Sequence, residues 1–573
     1  TTKFSNLIIS TYNRTTPAST RTDYTVRVQV CATGTDDSCK GYPSANPTIY
    51  KPTGLLQEYG EDTPERMAFG LLSGSYKKNT SGGVLRKNIG PFSKDAYTDS
   101  EVNLTTGQFN SSVVGITGTL DKFKIVDFGG NYQYGCGWIT TRPIKEGECY
   151  MWGNPVGEMM YETLRYFAAS PSSTPAPTPD FSNFSSGPDY DLKLPAPTWK
   201  TPFYDKTKNP GGYSGSKCFM LTISDLPSYD SDQIPGSYFN SFSSDISMNA
   251  KTLADAIWAG EPADNANPMK FIGQSGNVSD NAPTAKNVAG FGSIRGLAPE
   301  EPTKQGSFYS AAVAYFGNTQ GIGATAGKQR IETMSVVLSS PLPRIQIPVG
   351  SRTITLVPFA KSVGGSSISA ASTDFQPTNQ IVDFYVEKID YADPTNGNRP
   401  HGIFRINYED VEQGADHDMD AVVKYDYKVN ADNTITVTLS SDYAAGGIIQ
   451  YMGYVIAGTD GQDGVYLEVR DSDTCNTCGP IYFAGTPVPY TTDASGMTLP
   501  RASWPTDYWN HVDANGAQLP LLATRKFKPA TGSSSTAGEL IKHDPFWYAA
   551  KWGGFNDLNH NGLPDAGEWD TEQ

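Results

Sequence analysis

The chain has 573 residues, a formal net charge of −16 at pH 7, 12% aromatic residues, and 57 Gly and 40 Pro. It is too long for one hydrophobic core, and its aromatic content excludes a wholly disordered chain. Its acidic balance disfavours nucleic acid as a partner. No run of about 18 apolar residues occurs, so no transmembrane segment is predicted. The chain starts without a basic and apolar leader, so we expect any signal peptide to be removed or to lie upstream.

Residues 1–341 alternate strand and helix patterns, which predicts an α/β domain with a mainly parallel sheet covered on both faces. Asn154 can cap the clearest helix, and Pro155 suits its first turn. A Pro/Ser-rich insertion at 170–215 interrupts the pattern and is predicted to be exposed and extended. The predicted strands are residues 24–30, 67–72, 218–223 and 333–338, and the predicted helices are residues 154–167 and 306–319.

The pattern changes in residues 342–490, where short strands are separated by Asn, Gly and Asp turns, as is typical of an antiparallel β-sandwich. These strands are residues 344–349, 353–358, 381–389, 403–407, 421–429, 434–439, 453–457 and 465–469. Residues 491–573 are predicted to form a helical junction. Thr536 and Glu539 have capping-box spacing, and Pro545 ends that helix and begins an aromatic one. The predicted fold class is therefore α/β plus all-β.

The seven cysteines include three close pairs in loop-like sequence, which predict disulfides and an oxidising compartment. Zinc or redox chemistry at the CxxC pair is disfavoured, because no further soft ligands lie near it and it does not open a helix. Cys218 begins an apolar strand and is expected to be a buried free thiol. The predicted pairs are Cys31 with Cys39, Cys136 with Cys149, and Cys475 with Cys478.

Residues 557–568 have the spacing of a calcium loop, with oxygen-bearing side chains at positions 1, 3, 5 and 9, a glycine at 6 and a glutamate at 12. Gly562 allows the sharp turn that such a loop needs. The alternative is a solvated turn rich in Asp, Asn and Gly. Because Pro564 and Gly567 oppose a helix after the loop, we expect a structural, extracellular Ca²⁺ site. The predicted ligands are Asp557, Asn559, Asn561, the carbonyl of Leu563, Asp565 and Glu568.

Two further acidic groups are weaker metal candidates. Asp225 ends an apolar strand, and ligands of α/β sheets bind beyond such strand ends. The loop after Val30, the loop at Asp225 and the helix start at Asn154 could converge as in a von Willebrand factor A domain. The leading carboxylate of that family's first loop is absent, however, so turn capping is the alternative. A second cluster, for which a solvated loop is favoured over a calcium site, comprises Asp410, Asp416, Asp418 and Asp420.

No enzyme is predicted. No histidine lies beside a nucleophile in a recognisable elbow, and no phosphate-binding loop occurs. A glycosidase with paired carboxylates stays open, although no pair is singled out by an apolar pocket.

Several long segments resemble the PilC/PilY family of type IV pilus tip adhesins, and together they extend over nearly the whole chain. They are residues 24–31 (YTVRVQVC), 51–57 (KPTGLLQ), 82–90 (GGVLRKNIG), 152–168 (WGNPVGEMMYETLRYFA), 228–236 (SYDSDQIPG), 453–459 (GYVIAGT), 463–470 (DGVYLEVR) and 544–555 (DPFWYAAKWGGF).

The resemblance implies the N-terminal portion of such a protein, with a von Willebrand factor A-like domain, before a β-propeller. It also implies an extracellular location at the pilus tip or outer-membrane surface of a Gram-negative bacterium. Minor pilins and a host or environmental surface receptor would be the partners, in adhesion and in control of pilus assembly and retraction. The family's propeller calcium loop lies outside this sequence, so calcium control of retraction does not transfer to residues 557–568. The alternatives are a secreted carbohydrate-binding or carbohydrate-active surface protein and a purely structural fibre subunit.

Overall fold

The computed structural model describes most of the chain. The described residues are 3–11, 22–32, 38–42, 48–61, 66–93, 100–127, 144–168, 186–200, 202–203, 213, 215–225, 233–241, 246–279, 283–298, 305–322, 329–338, 343–363, 380–409, 420–444, 449–471, 493, 495, 497–499, 519–531 and 538–569. Among them, no helix is both long and apolar enough to cross a bilayer.

Among the described residues, strands outnumber helices. The strands are β1 (Lys3–Thr11), β2 (Thr22–Gln29), β3 (Cys39–Tyr42), β4 (Ile49–Pro52), β5 (Phe69–Ser73), β6 (Val84–Gly90), β7 (Cys218–Ser224), β8 (Met269–Phe271), β9 (Gln274–Ser275), β10 (Val278–Ser279), β11 (Ala285–Asn287), β12 (Ile294–Arg295), β13 (Ile331–Val337), β14 (Ile345–Val349), β15 (Arg352–Val363), β16 (Gln380–Asp393), β17 (Arg399–Glu409), β18 (Ala421–Val429), β19 (Ile435–Ala444), β20 (Ile449–Ala457), β21 (Gly464–Asp471) and β22 (Leu522–Phe527). The α-helices are α1 (Leu55–Gly60), α2 (Ile116–Leu120), α3 (Val156–Ala168), α4 (Pro188–Asp191), α5 (Ala250–Gly260), α6 (Pro262–Asn265), α7 (Tyr309–Thr319) and α8 (Pro545–Gly554).

The chain divides into two compact units. The first comprises residues 1–73, 84–124 and 170–215, and the second comprises residues 74–83, 125–169 and 216–573. The first unit contains the antiparallel pairs β1–β2, β3–β4 and β5–β6. Residues 186–200 of the predicted exposed insertion are partly buried in it, because Asp189 accepts a hydrogen bond from Arg86 at 2.7 Å and both side chains lack solvent contact. The predicted domain boundaries at 341 and 490 stay predictions.

The second unit begins with a small α/β region. β7 and β13 are parallel, and they are the one parallel pair among the described strands, so the predicted mainly parallel sheet is wrong for this part of the chain. Alternate residues of β7 are buried and exposed. Contrary to the expectation of cover on both faces, the outward side chains Leu221 and Ile223 are 54% and 73% exposed.

The predicted sandwich is confirmed. One sheet has the strand order β14-β15-β20-β21, the other has β16-β17-β18-β19-β22, and every pairing is antiparallel. β18 alternates buried and half-buried residues throughout, because one face of the strand meets the opposite sheet. Buried side chains of both sheets form one core, and the Tyr425 hydroxyl donates across it to the Gly453 carbonyl at 2.9 Å.

Where the C-terminal segment is described, one of the two helices predicted for the junction is present. β22 joins the sandwich sheet beside β19. The expected helix after Thr536 is wrong where the chain is described, because Glu539 forms a parallel bridge with Lys270. α8 is confirmed, beginning at Pro545 with the Asp544 side chain as its cap. It packs against α7, where Trp552 meets the Tyr315 ring edge-on at 4.9 Å.

The cysteine predictions are confirmed where they can be checked. Cys31 and Cys39 form a disulfide. Cys149 is disulfide-bonded, and its predicted partner Cys136 lies outside the described residues. Cys218 is a buried free thiol, and burial raises its pKa to about 12. Cys475 and Cys478 lie outside the described residues.

Candidate metal site

The loop of residues 557–568 follows α8 closely, and its first half is a tight turn around one carboxylate. The Asp557 side chain accepts the backbone N–H groups of Asn561 at 3.0 Å and Gly562 at 3.1 Å. Gly562 has φ +76°, the left-handed conformation that favours glycine. The predicted role of the position-six glycine is therefore confirmed at the level of the backbone.

Glu568 closes the loop from its other end. Its Oε1 accepts the N–H of Leu558 at 2.9 Å and of Asn559 at 3.3 Å, and its Oε2 accepts the N–H of Asp565 at 3.2 Å. The Glu568 carbonyl also accepts the N–H of Asn556 at 2.7 Å. The first and last positions of the predicted calcium loop are thus brought together, with Glu568 largely buried.

The two asparagines converge on Asp565. The Nδ2 atoms of Asn559 and Asn561 each donate to Asp565 Oδ2 at 2.7 Å. Their Oδ1 atoms accept the N–H groups of Asn561 and Leu563. The carbonyl of Leu563 accepts the N–H of Asp565 at 3.0 Å. All six predicted ligands therefore belong to one hydrogen-bonded loop.

The donor set suits a hard cation, because carboxylates, carboxamides and a carbonyl offer oxygen alone. The carboxylates, however, are not arranged around a common point as a metal ion would require. Among the described residues, no group of three or more His, Cys, Asp or Glu side chains is placed to hold a metal ion. Asp557, Asp565 and Glu568 instead accept backbone and amide donors. Calcium binding here stays a prediction, and it requires these three side chains to turn toward one point.

Two residues outside the predicted ligand set attach the loop to the helices. The Tyr315 hydroxyl on α7 donates to the Gly562 carbonyl at 2.9 Å. Burial and the nearby charge of Asp557 raise the Tyr315 pKa. Trp569 meets the ring of Trp547 edge-on at 5.5 Å, and the Lys551 ammonium lies 4.6 Å from the Trp569 ring centre. A tryptophan directly after position twelve was the available sequence signal, whereas nothing local marked Tyr315.

Two of the three loops predicted to converge at Asp225 do meet. Asn154 donates to the Asp225 carbonyl at 3.1 Å, and Ser224 donates to the Asn154 side-chain oxygen at 3.1 Å. Asp225 thus contributes a backbone oxygen to this contact. The loop after Val30 belongs to the other compact unit. A metal at Asp225 stays a prediction.

The acidic cluster of the sandwich is mostly outside the described residues, which include Asp420 but not Asp410, Asp416 or Asp418. Asp420 is buried just before β18, and its N–H donates to the Tyr408 carbonyl at 3.0 Å. Its part in a second calcium site stays a prediction.

Comparison with known proteins gives two family matches and one close relative. Residues 69–317 match the model described as PilY1 homolog, second domain, and residues 347–506 match the model described as PilY1 homolog, beta-sandwich. A protein of Xylella fastidiosa named type IV pilus biogenesis factor PilY1 homolog is 46% identical over 566 residues, which is 93% of this chain. The chain belongs to the PilY1 family.

The chain spans 36% of the length of that PilY1 relative. Neither PilY1 model extends to residues 557–568, so the family match does not test the calcium loop. No solved structure matches the chain.

Proposed function

We propose that this PilY1-family chain is part of a non-enzymatic type IV pilus tip adhesin that acts in pilus assembly and in the control of retraction. The observation that carries the proposal is the 46% identity to a named pilus biogenesis factor along 93% of the chain. Minor pilins and a surface receptor are the proposed partners, and the extracellular pilus tip is the proposed location. In the intact protein a β-propeller would follow these residues.

The α/β region is proposed to be a degenerate von Willebrand factor A-like domain. Its support is the parallel pair β7–β13, whose end at Ser224 and Asp225 meets the start of α3 through Asn154. Because the leading carboxylate of the first loop is absent, we expect this region to bind partners without a metal of its own.

Calcium is proposed to bind Asp557, Asn559, Asn561, the Leu563 carbonyl, Asp565 and Glu568. The function of such an ion would be mechanical. The loop is bonded to α7 through Tyr315 and follows α8 directly, so an ion that rigidifies it would fix the direction in which the chain leaves the helices. A force applied to the chain during retraction would then be carried by the helices and not by a flexible turn.

The location is tested on purified fibres. A labelled antibody against residues 342–490 should mark one end of each pilus, and a strain lacking the protein should lose that signal. Labelling spaced along the whole fibre would indicate a structural subunit instead. Absence from fibres that are otherwise fully assembled would refute the pilus-tip proposal.

Calcium binding is tested by isothermal titration of the wild type, Glu568→Ala and Asp442→Ala. Asp442 supplies the control, because it is an exposed carboxylate of the sandwich whose partner is Arg405 at 3.1 Å. The wild type and Asp442→Ala should bind one ion with a Kd of roughly 10⁻⁴–10⁻³ M, as in extracellular modules. Glu568→Ala should lose it. Unchanged binding by Glu568→Ala would place any calcium elsewhere.

Carbohydrate binding is the second candidate, and two exposed aromatic residues favour it. Tyr385 and Tyr391 lie on the edge strand β16 and are each 62% exposed, so their rings could stack on sugars. Binding on a glycan array that Tyr385→Ala and Tyr391→Ala abolish, without association with fibres, would favour this function over the pilus role.

A further inference from the structure

Within the proposed calcium loop, Asn561 directly precedes Gly562, and an asparagine followed by glycine is prone to deamidation. The backbone nitrogen after an asparagine can attack the side-chain Cγ and expel ammonia, which forms a cyclic imide. Water then opens the ring to aspartate or isoaspartate, so the net change is water in and ammonia out. A following glycine favours the attack, because no Cβ hinders the approach of its nitrogen.

The described residues contain a second pair of this kind, Asn396 and Gly397, whose surroundings differ. The amide of Asn396 donates to three backbone carbonyls, those of Arg399, Pro400 and Val429. It is held against the end of the sandwich sheet and is half-buried. Rotation of its Cγ toward the Gly397 nitrogen would break all these bonds, so this pair is protected.

Asn561 has no comparable anchor. It is exposed; its Nδ2 donates to Asp565 at 2.7 Å and its Oδ1 accepts the N–H of Leu563 at 2.7 Å, so both partners belong to the same exposed loop. Carboxylates flank both reacting groups. Asp557 accepts the Gly562 N–H that must lose its proton, at 3.1 Å, and Asp565 accepts the amide that must leave. We propose that Asn561 is a deamidation site whose conversion gives the loop a fourth carboxylate.

The coupling to calcium rests on the proposed function. A bound ion would engage Asp557, Asp565 and the Asn561 oxygen together, so the attack would proceed from the ion-free loop alone. Conversion to aspartate adds a charged ligand at position five and strengthens binding, since ligand charge sets the affinity of such loops. Conversion to isoaspartate lengthens the backbone before Gly562 and weakens binding. Calcium supply would therefore set how fast this loop changes chemically.

Asn559 is the matched control inside the same loop. It is equally exposed and donates to the same Asp565 oxygen at the same 2.7 Å, but His560 follows it. The wild-type chain is incubated at neutral pH with chelator or with calcium at ten times its measured Kd, and its peptides are analysed by mass spectrometry. In chelator, Asn561 should convert at least roughly 10-fold faster than Asn559 or Asn396, because among these three residues Asn561 alone combines exposure with a following glycine. Calcium should slow that conversion by about 10-fold, as expected when only free loop reacts.

The outcomes separate the modification from the calcium site. Conversion of Asn561 no faster than that of Asn559 would overturn the deamidation proposal, whether or not calcium binds. If Asn561 converts faster than Asn559 but titration detects no calcium binding, the deamidation proposal stands and the calcium site is refuted. Calcium binding that leaves the rate unchanged would overturn the coupling. Asn561→Asp, which bypasses the reaction, should bind calcium roughly 10-fold more tightly than the wild type, and equal or weaker binding would overturn the predicted gain.

Discussion

Gly553 on α8 is the position where a single methyl group tests how the C-terminal helix is seated. A Cβ at this residue would lie 2.6 Å from the Ala314 Cβ on α7 and 2.7 Å from the Thr333 Cβ on β13. Non-bonded carbons normally approach to about 3.5–4.0 Å. Because both neighbours are attached directly to backbone, the Gly553→Ala variant must displace the helix itself.

Two opposing effects determine how much Gly553→Ala changes the free energy of unfolding. Alanine in place of a helical glycine contributes about 0.5–1 kcal/mol of stability. Overpacking a rigid contact costs about 1–3 kcal/mol, and here two contacts are violated together. We therefore expect a net loss of about 2 kcal/mol in the free energy of unfolding. Gly554→Ala is the milder comparison, because that residue is exposed and its added Cβ would make a single close contact, at 3.0 Å with the Thr333 carbonyl oxygen.

The assay combines urea unfolding with amide hydrogen exchange of α8. Gly553→Ala should lower the urea midpoint and speed exchange across residues 545–554, whereas Gly554→Ala should change both much less. A Gly553→Ala protein that is as stable as the wild type, with unchanged exchange in α8, would show that the helix does not rest on α7 and β13 as described.

Three further predictions concern other parts of the chain. Burial raises the pKa of Asp463 from 3.8 to about 6, so the folded state binds more protons between those values. The wild type should then lose about 2 kcal/mol of stability as pH rises from 4 to 6, and Asp463→Asn should remove that dependence in urea titrations. Tyr548→Phe removes the hydroxyl that donates to the buried Asp264, and should cost about 1–3 kcal/mol by thermal unfolding; no change would refute that bond. Joint replacement of Cys31 and Cys39 by serine opens a short loop and should destabilise the first unit by about 2–3 kcal/mol, which protease digestion of residues 1–73 would detect.

The sandwich could be predicted because its strands carry their own signal. In Ala421–Val429, every second residue is buried, and this alternation is visible without knowledge of any partner strand. The parallel sheet was predicted too broadly, because alternation identifies strands but not which strands pair. The features that the sequence did not predict are therefore contacts between segments that lie far apart along the chain.

The capping box at Thr536 is a second case in which the local sequence could not predict the structure. Its local pattern favours a helix, but Gly538 lies so close to Phe271 and Ala285 that a Cβ would come within 2.7–2.8 Å of them. Glu539 pairs with Lys270, 269 positions earlier. Tertiary contact therefore outweighs local propensity. In residues 557–568, the spacing predicted the turn at Gly562 correctly, but it could not reveal the hydrogen bond that Tyr315 donates to this loop.

The aromatic cluster of the α/β region includes a side chain from α8, which lies far along the chain. Phe291 stacks on Phe308 at 4.3 Å, and Tyr548 of α8 closes against Phe291 at 5.0 Å. Because Tyr548 belongs to this aromatic cluster, the cluster cannot be complete until α8, more than 230 residues after Phe308, has been synthesised.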